Sequence, residues 1–322
     1  MTVLQYTLPD LFAAFPCSRN VSEHYEECKD ECKAWTESFH PFDEEGMKGF
    51  SLANFNLIRL GCDLISLLYV LDEYTDMMKS SFEVEKVRGV ILGAFKNPHK
   101  GNISANEPPF GAMACDFWTR ASSYVSPGAL CLEHFIHNFD TYMAAVVREA
   151  DDRLKRRYHS FEDYLSIRHD SSACLPCFSL CEFGLELPEE IVHYPRMAAL
   201  REQGTTLIAI SNVSRGLELH NSVELVMVER NLDVQGAINW LEQYTNGVSA
   251  SFLDNVANMP SWGEDVDRRV KIYTDGIAQW VRGNDDWTFE SGRYFGSKGL
   301  EVQKSRIMKL HLAARSVGYI KN

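Results

Sequence analysis

The stretch Leu64-Ile65-Ser66-Leu67-Leu68-Tyr69-Val70-Leu71-Asp72-Glu73-Tyr74-Thr75-Asp76 joins a strongly apolar run to a cluster of carboxylates. Its apolar residues recur at three- and four-residue steps, the period of a helix. On that helix Asp72 and Asp76 stand four apart and share a face, with Glu73 beside them. The C-terminal end of a helix is already the negative pole of its dipole, so acids placed there do not steady it and call for a cation. Paired carboxylates suit a hard divalent ion such as magnesium, which keeps several waters and bridges to phosphate oxygens. Taken alone, the same five residues also describe a solvated helix end.

The helical period extends along most of the chain. It covers residues 21–39, 52–76, 82–95, 112–124, 130–157, 161–167, 188–210, 222–244, 262–283 and 304–314. Period-two runs of β-branched residues are nearly absent. Breakers punctuate the pattern at Pro41, Pro98, Gly101, Pro108-Pro109, Pro127-Gly128, Pro195, Gly247, Pro260, Gly283 and Gly292 to Gly299. The connections are short, as in antiparallel bundles, and none has the composition of a flexible linker. The expectation is an all-α protein forming one domain over residues 1–322.

The chain has 322 residues and a net charge of -13. That balance argues against nucleic acid or an anionic membrane as partner, because both need a basic patch to displace counterions. An anionic substrate would require metals and a few arginines to reverse the local field. The N-terminal residues carry no basic-then-apolar signal, and no apolar run reaches the ~18 to 20 residues of a membrane span. Nine cysteines, an odd number, fit a reducing compartment. A cytoplasmic location without membrane insertion is expected. Cys174-Leu175-Pro176-Cys177 with Cys181, and Cys28 with Cys32, read as small thiols packing helices, since the βαβ setting of a redox site and the second ligand pair of a zinc site are missing. Residues 149–157 alternate acidic and basic side chains and read as a solvated helix face. Phe55, Tyr69 and Trp287 read as ordinary core residues.

Two arginines give the acidic cluster a meaning. Arg168 follows Tyr164-Leu165-Ser166-Ile167 and precedes His169-Asp170-Ser171-Ser172, where a helix breaks into small polar residues. Arg293 stands beside Tyr294 in Glu290-Ser291-Gly292-Arg293-Tyr294-Phe295. A guanidinium donates two parallel hydrogen bonds to one phosphate, so both arginines suit a diphosphate; each taken alone also reads as a surface or ion-pair residue.

In this order and spacing the chain resembles the class I terpene synthases, and among them the sesquiterpene synthases of basidiomycete fungi. The likeness runs from Leu8-Pro9-Asp10-Leu11 through Trp35 and Ser38, the Asp72 to Asp76 motif, Tyr164 to Arg168, Leu187-Pro188 and His220-Asn221 to Arg293-Tyr294. The resemblance implies a helical bundle around a central apolar cavity, and magnesium as cofactor. It implies Asp72 and Arg168 as catalytic residues, Asp72 and Asp76 as metal ligands, and Arg168, Arg293 and Tyr294 as the grip on the diphosphate. Ser171 and Ser172 match the positions that follow the diphosphate-sensing arginine. The implied substrate is farnesyl diphosphate, with geranyl diphosphate as a shorter alternative.

One element of the family pattern is shortened. A second metal motif, an Asn-Asp pair with Ser four residues after the Asn and Glu four after that, should occupy a later helix. Here the stretch reads Ser211-Asn212-Val213-Ser214-Arg215-Gly216-Leu217-Glu218-Leu219-His220-Asn221. Roughly eight residues, about two helical turns, are missing from it. Asn212 remains where the motif begins, with Glu218 as the nearest acid, and these two complete the expected metal ligands. Asn221 and Glu229 keep an eight-residue separation, but Leu225 stands where the serine belongs. The expected activity is ionisation of farnesyl diphosphate and release of a cyclic sesquiterpene. The alternative is a catalytically impaired relative that only binds isoprenoid diphosphate. A chain-elongating prenyltransferase would need a second Asp-rich motif, and Asp151-Asp152 and Asp285-Asp286 each lack the third acid.

Overall fold

A computed structural model describes residues 3–13, 15, 25–39, 59–98, 108–155, 160–211 and 222–311. Strand β1 (Val3–Thr7) precedes helices α1 (Tyr25–Ser38), α2 (Arg59–Asp76), α3 (Ser81–Lys96), α4 (Pro109–Ser123), α5 (Leu130–Lys155), α6 (Phe161–Ser171) and α7 (Cys174–Leu180). There follow α8 (Glu189–Val192), α9 (Pro195–Ser211), α10 (Ser222–Arg230), α11 (Val234–Ala257), α12 (Glu264–Glu290), α13 (Gly299–Ser305) and strand β2 (Ile307–His311). None of the described helices is long and apolar enough to cross a membrane.

Side-chain caps start several of these helices. Ser80 accepts from the Glu83 backbone N–H while Glu83 reaches back to the Lys79 N–H, and Ser160 accepts from the Asp163 N–H. These bonds satisfy donors that the first helical turn leaves open. The apolar faces then pair: α3 lies against α4 and α5, α5 against α6 and α7, and α9 against α11 and α12. Two large core clusters result, alongside two smaller ones among the described residues. One gathers Leu67, Leu71, Phe95, Phe117, Phe135 and Phe139, with the Phe95 and Phe139 rings 4.9 Å apart and edge-on. The other gathers Phe178, Leu207, Phe252, Tyr273 and Ile277. Trp280 packs against both.

The structure departs from the sequence expectation in several places. Residues 222–244 form parts of two helices rather than one, because Asn231 takes a left-handed conformation with φ 51° and Asp233 caps a new helix that runs past the expected break at Gly247 to Ala257. The helix expected over 304–314 stops at Ser305, because Arg306 takes a left-handed conformation with φ 54°. Ile307–His311 instead pairs antiparallel with Val3–Thr7, so a two-stranded ribbon joins the two ends of an otherwise helical fold. Residues 188–210 form two helices rather than one, since the chain turns at His193 and Tyr194 and restarts at Pro195, which is well suited to a first helical position. Gly283 does not end its helix. A methyl group there would meet nothing within 4 Å, and Gly283 borders a cavity, so its missing side chain leaves room there.

A buried pair ties α5 to the loop after α7. His134 Nδ1 lies 2.7 Å from Glu182 Oε2, and Glu182 is 4% exposed. The Glu182 hydrogen bond raises the imidazole pKa above its ordinary value, against the opposing effect of burial. A raised histidine pKa contributes stability that is fully present below the unfolded value of about 6.5 and is lost as pH rises through the folded value. His134→Gln is therefore expected to cost about 1.5–3 kcal/mol at pH 6. The gap in Tm between wild type and variant should narrow steadily at higher pH, and melting curves across pH 6 to 9 will check this.

Candidate active site

The cavity, about 250 Å³, lies at the seam between the two cores. Helix α2 contributes Ile65, Leu68, Tyr69 and Asp72, the i, i+3, i+4, i+7 stripe of one face. Helix α12 contributes Trp280, Gly283, Asn284 and Trp287 with the same spacing. The break between α6 and α7 supplies Arg168, Ser171, Ser172, Ala173 and Cys174, and the segment after α12 supplies Arg293 and Tyr294. Four of the expected site residues, Asp72, Arg168, Arg293 and Tyr294, thus meet on one cavity although 221 positions of sequence separate the first from the last.

Local structure explains how each is held. Gly292 takes φ 71°, a left-handed turn that ends α12 and redirects the chain. Arg293 then lies with its guanidinium 4.9 Å from the centre of the Tyr69 ring and its Nη2 3.6 Å from Asp72 Oδ2. Tyr69 and Asp72 are three apart on α2, so one helix face supplies both the aromatic platform and the anion. The Trp287 ring stands 5.7 Å from that of Tyr294 and perpendicular to it. Burial raises the Tyr294 phenol above its usual pKa, overriding the pull of Arg293 and Arg168, so its O–H stays available as a donor.

Arg168 occupies the last turn of α6, where the helix dipole favours a cation. Its Nη1 lies 3.7 Å from Glu149 Oε1, and Ser171 Oγ donates to the same carboxylate oxygen at 2.5 Å. Burial works against the Arg168 charge, but Tyr164, Glu149 and Asp72 outweigh it and raise its pKa. Among the described residues its buried Nε has no hydrogen-bond partner, nor does the buried Ser172 Oγ. Buried donors left open in this way cost stability unless a ligand meets them. Ala173 holds a left-handed conformation, φ 60° and ψ 10°, where the helix breaks. A non-glycine residue in that region stores ~1–3 kcal/mol of strain.

Asp76 is placed differently. It lies outside the cavity lining, 60% exposed, with Oδ1 3.3 Å from Arg153 Nη1. Partial burial and the like charges of Asp72, Glu73 and Glu149 raise its pKa, against the pull of Arg153. A cation beside these acids would relieve that repulsion. Asn212 and Glu218 lie outside the described residues. Glu229 is spent elsewhere, since its Oε2 accepts the Phe161 backbone N–H at 2.9 Å. Among the described residues no three histidine, cysteine or acidic side chains gather closely enough to hold a metal alone. The donor set is nonetheless chemically suited to magnesium with a diphosphate: the hard carboxylate of Asp72 and the guanidinium groups of Arg168 and Arg293 border one cavity.

Residues 149–157 are more than a solvated face, because Glu149 anchors both Ser171 and Arg168. A signal was present: Glu149 stands seven after Tyr142, which lines the cavity, so the two share a helix face. Tyr69 and Trp287 line the cavity rather than the closed core, and Phe55 lies outside the described residues. The cysteine reading holds for Cys174 and Cys177, free and buried on α7, with thiol pKa values pushed up by burial.

The charged groups of the lining are two arginines against one aspartate. In a chain of net charge -13 this makes the cavity a local site for an anion.

Comparison with known proteins agrees with this geometry. Residues 63–248 match the family model for terpene synthase family 2, C-terminal metal binding. Sesquiterpene synthase Agr9 of Cyclocybe aegerita is 66% identical, covering 97% of this chain and 89% of the relative. A Delta(6)-protoilludene synthase of Hypholoma sublateritium is 34% identical, covering 97% of this chain and 96% of the relative. Among solved structures, that of a-eudesmol synthase superposes with TM-score 0.76 at 18% identity, covering 86% of this chain and 98% of that one. Germacradien-4-ol synthase from Streptomyces citricolor gives 0.72 at 20% identity, covering 85% and 98%. At such identity these two speak for the helical fold. With its family model, its relatives and its fold in agreement, the chain belongs to the terpene synthases.

Proposed function

We propose that the protein is a magnesium-dependent sesquiterpene synthase that ionises farnesyl diphosphate and releases a cyclic sesquiterpene and diphosphate. The observation that carries this reading is the meeting of Asp72, Arg168, Arg293 and Tyr294 on one apolar cavity. Asp72, with Asp76 one turn beyond, would hold magnesium, which when bound supplies Lewis-acid stabilisation of the departing diphosphate. Arg168, Arg293 and the Tyr294 hydroxyl donate to the diphosphate oxygens and stabilise charge as the C–O bond breaks. The hydrocarbon lies against Ile65, Leu68 and Ile208, which exclude water from the allylic cation. The aromatic side chains Tyr142, Trp280 and Trp287 in the same lining offer it electron density. Because the walls come from both halves of the sequence, we take residues 1–322 as one catalytic domain.

A second reading, an impaired relative that binds isoprenoid diphosphate without ionising it, has one observation in its favour. The alignment with the Agr9 relative runs over 333 positions, more than this chain's 322 residues, so that relative carries residues this chain lacks. One experiment separates the two. Purified protein given farnesyl or geranyl diphosphate with magnesium is expected to release diphosphate and a volatile hydrocarbon or alcohol, with farnesyl diphosphate preferred. Metal-dependent binding without turnover, in protein shown to be folded, selects the second reading.

A further inference from the structure

Asn284 is a polar side chain in an apolar wall. It sits on α12 between Trp280, four residues before it, and Trp287, three after it, and all three line the cavity. These spacings put the amide on one helix face with an indole a turn away on either side. Its Nδ2 donates to Ser211 Oγ at 2.8 Å. Ser211 is 3% exposed, and its own hydroxyl donates to the Ile208 carbonyl at 2.9 Å.

The direction of the amide follows from proton bookkeeping. A serine hydroxyl has one proton. That proton is used on Ile208, so Ser211 Oγ can only accept from Asn284, and it must face the amide NH2. The carbonyl Oδ1 therefore lies at the opposite edge of the planar amide, away from Ser211. Among the described residues Oδ1 accepts no hydrogen bond, although Asn284 is otherwise accounted for. A carbonyl on the wall of an apolar cavity offers its lone pairs to a positive charge or a donor that enters it.

We propose that Asn284 is a specificity-determining residue whose side-chain carbonyl, locked by Ser211, presents a fixed partial negative charge to the hydrocarbon and sets where the cationic charge rests during cyclisation. Ser211 is the positioning residue. The proposal rests on the synthase reading above. A preorganised dipole in a dry site acts strongly on charge and needs no reorganisation when the charge arrives. The apolar side chains of the wall bias no one position along the chain, and the two indoles attract a cation over broad faces. The carbonyl adds a point preference, so it discriminates between competing ring closures.

The test is the product ratio per diphosphate released, measured with farnesyl diphosphate and magnesium. Asn284→Leu keeps the approximate shape and removes the dipole, and Ser211→Ala keeps the dipole and frees it to swivel. In Asn284→Leu the main wild-type product is expected to fall about tenfold relative to its side products, equivalent to about 1.4 kcal/mol between competing barriers. In Ser211→Ala the distribution should broaden, with a smaller fall. Dividing by released diphosphate removes any loss due to folding or ionisation. An unchanged product ratio in either variant overturns the proposal. If the wild type releases no diphosphate at all, the synthase reading fails and this proposal falls with it, an outcome distinct from turnover with unaltered ratios.

Discussion

Asp72→Asn is expected to lower diphosphate release from farnesyl diphosphate by at least about a hundredfold while shifting Tm by no more than ~2 °C. The asparagine keeps shape and hydrogen-bonding atoms but loses the charge that a hard cation needs. Asp76 will not take over, since it lies outside the cavity lining and faces Arg153. The small stability effect follows from exposure. The Asp72 carboxylate is 50% exposed and reaches Arg293 only at 3.6 Å, and ion pairs of this kind contribute ~0–1 kcal/mol. A large fall in Tm with unchanged specific activity would mean that Asp72 serves the fold rather than the chemistry. Steady-state turnover and thermal melting of the same preparations decide between these.

Arg168→Gln should lower kcat by about a hundred- to a thousandfold, the usual cost of removing one charge-stabilising donor from a water-excluded site. Arg168 lines the cavity with an open Nε, and its partner Glu149 keeps the Ser171 hydrogen bond in its absence, so the fold loses little. Arg168→Lys restores the charge without the planar fork and is expected to recover only part of the rate. A binding measurement independent of turnover runs alongside. Inorganic diphosphate with magnesium should raise the wild-type Tm through preferential binding to the folded state, and the same additions should move Arg168→Gln far less. Equal stabilisation of both proteins would remove Arg168 from the diphosphate site.

Periodicity along one element exposed α2 and its acids, because a helix face repeats every three to four residues and Ile65, Leu68, Tyr69 and Asp72 fall on one such stripe. Arg168 and Arg293 stand at helix ends marked by their neighbours, small polar residues in one case and a glycine turn in the other. The C-terminal strand was not visible. Ile307–His311 is short and apolar enough to serve either structure, and only the opposing edge of Val3–Thr7 settled it. Gly283 misled for a related reason, since its break-forming tendency of ~1 kcal/mol is small beside the packing of a long helix.

Local periodicity was enough to establish a helical protein, whereas Asp72, Arg168, Arg293 and Tyr294 were each ambiguous alone and were marked only by their order along the whole chain, through its resemblance to the terpene synthases. Which helices meet was decided by three-dimensional packing alone. That packing set Glu149 against Ser171 and Arg168, laid Arg293 over Tyr69, and turned the Asn284 carbonyl away from Ser211. Contacts between distant segments arise from the burial of whole apolar faces, and such burial leaves no period or motif in the chain that pairs one partner with the other.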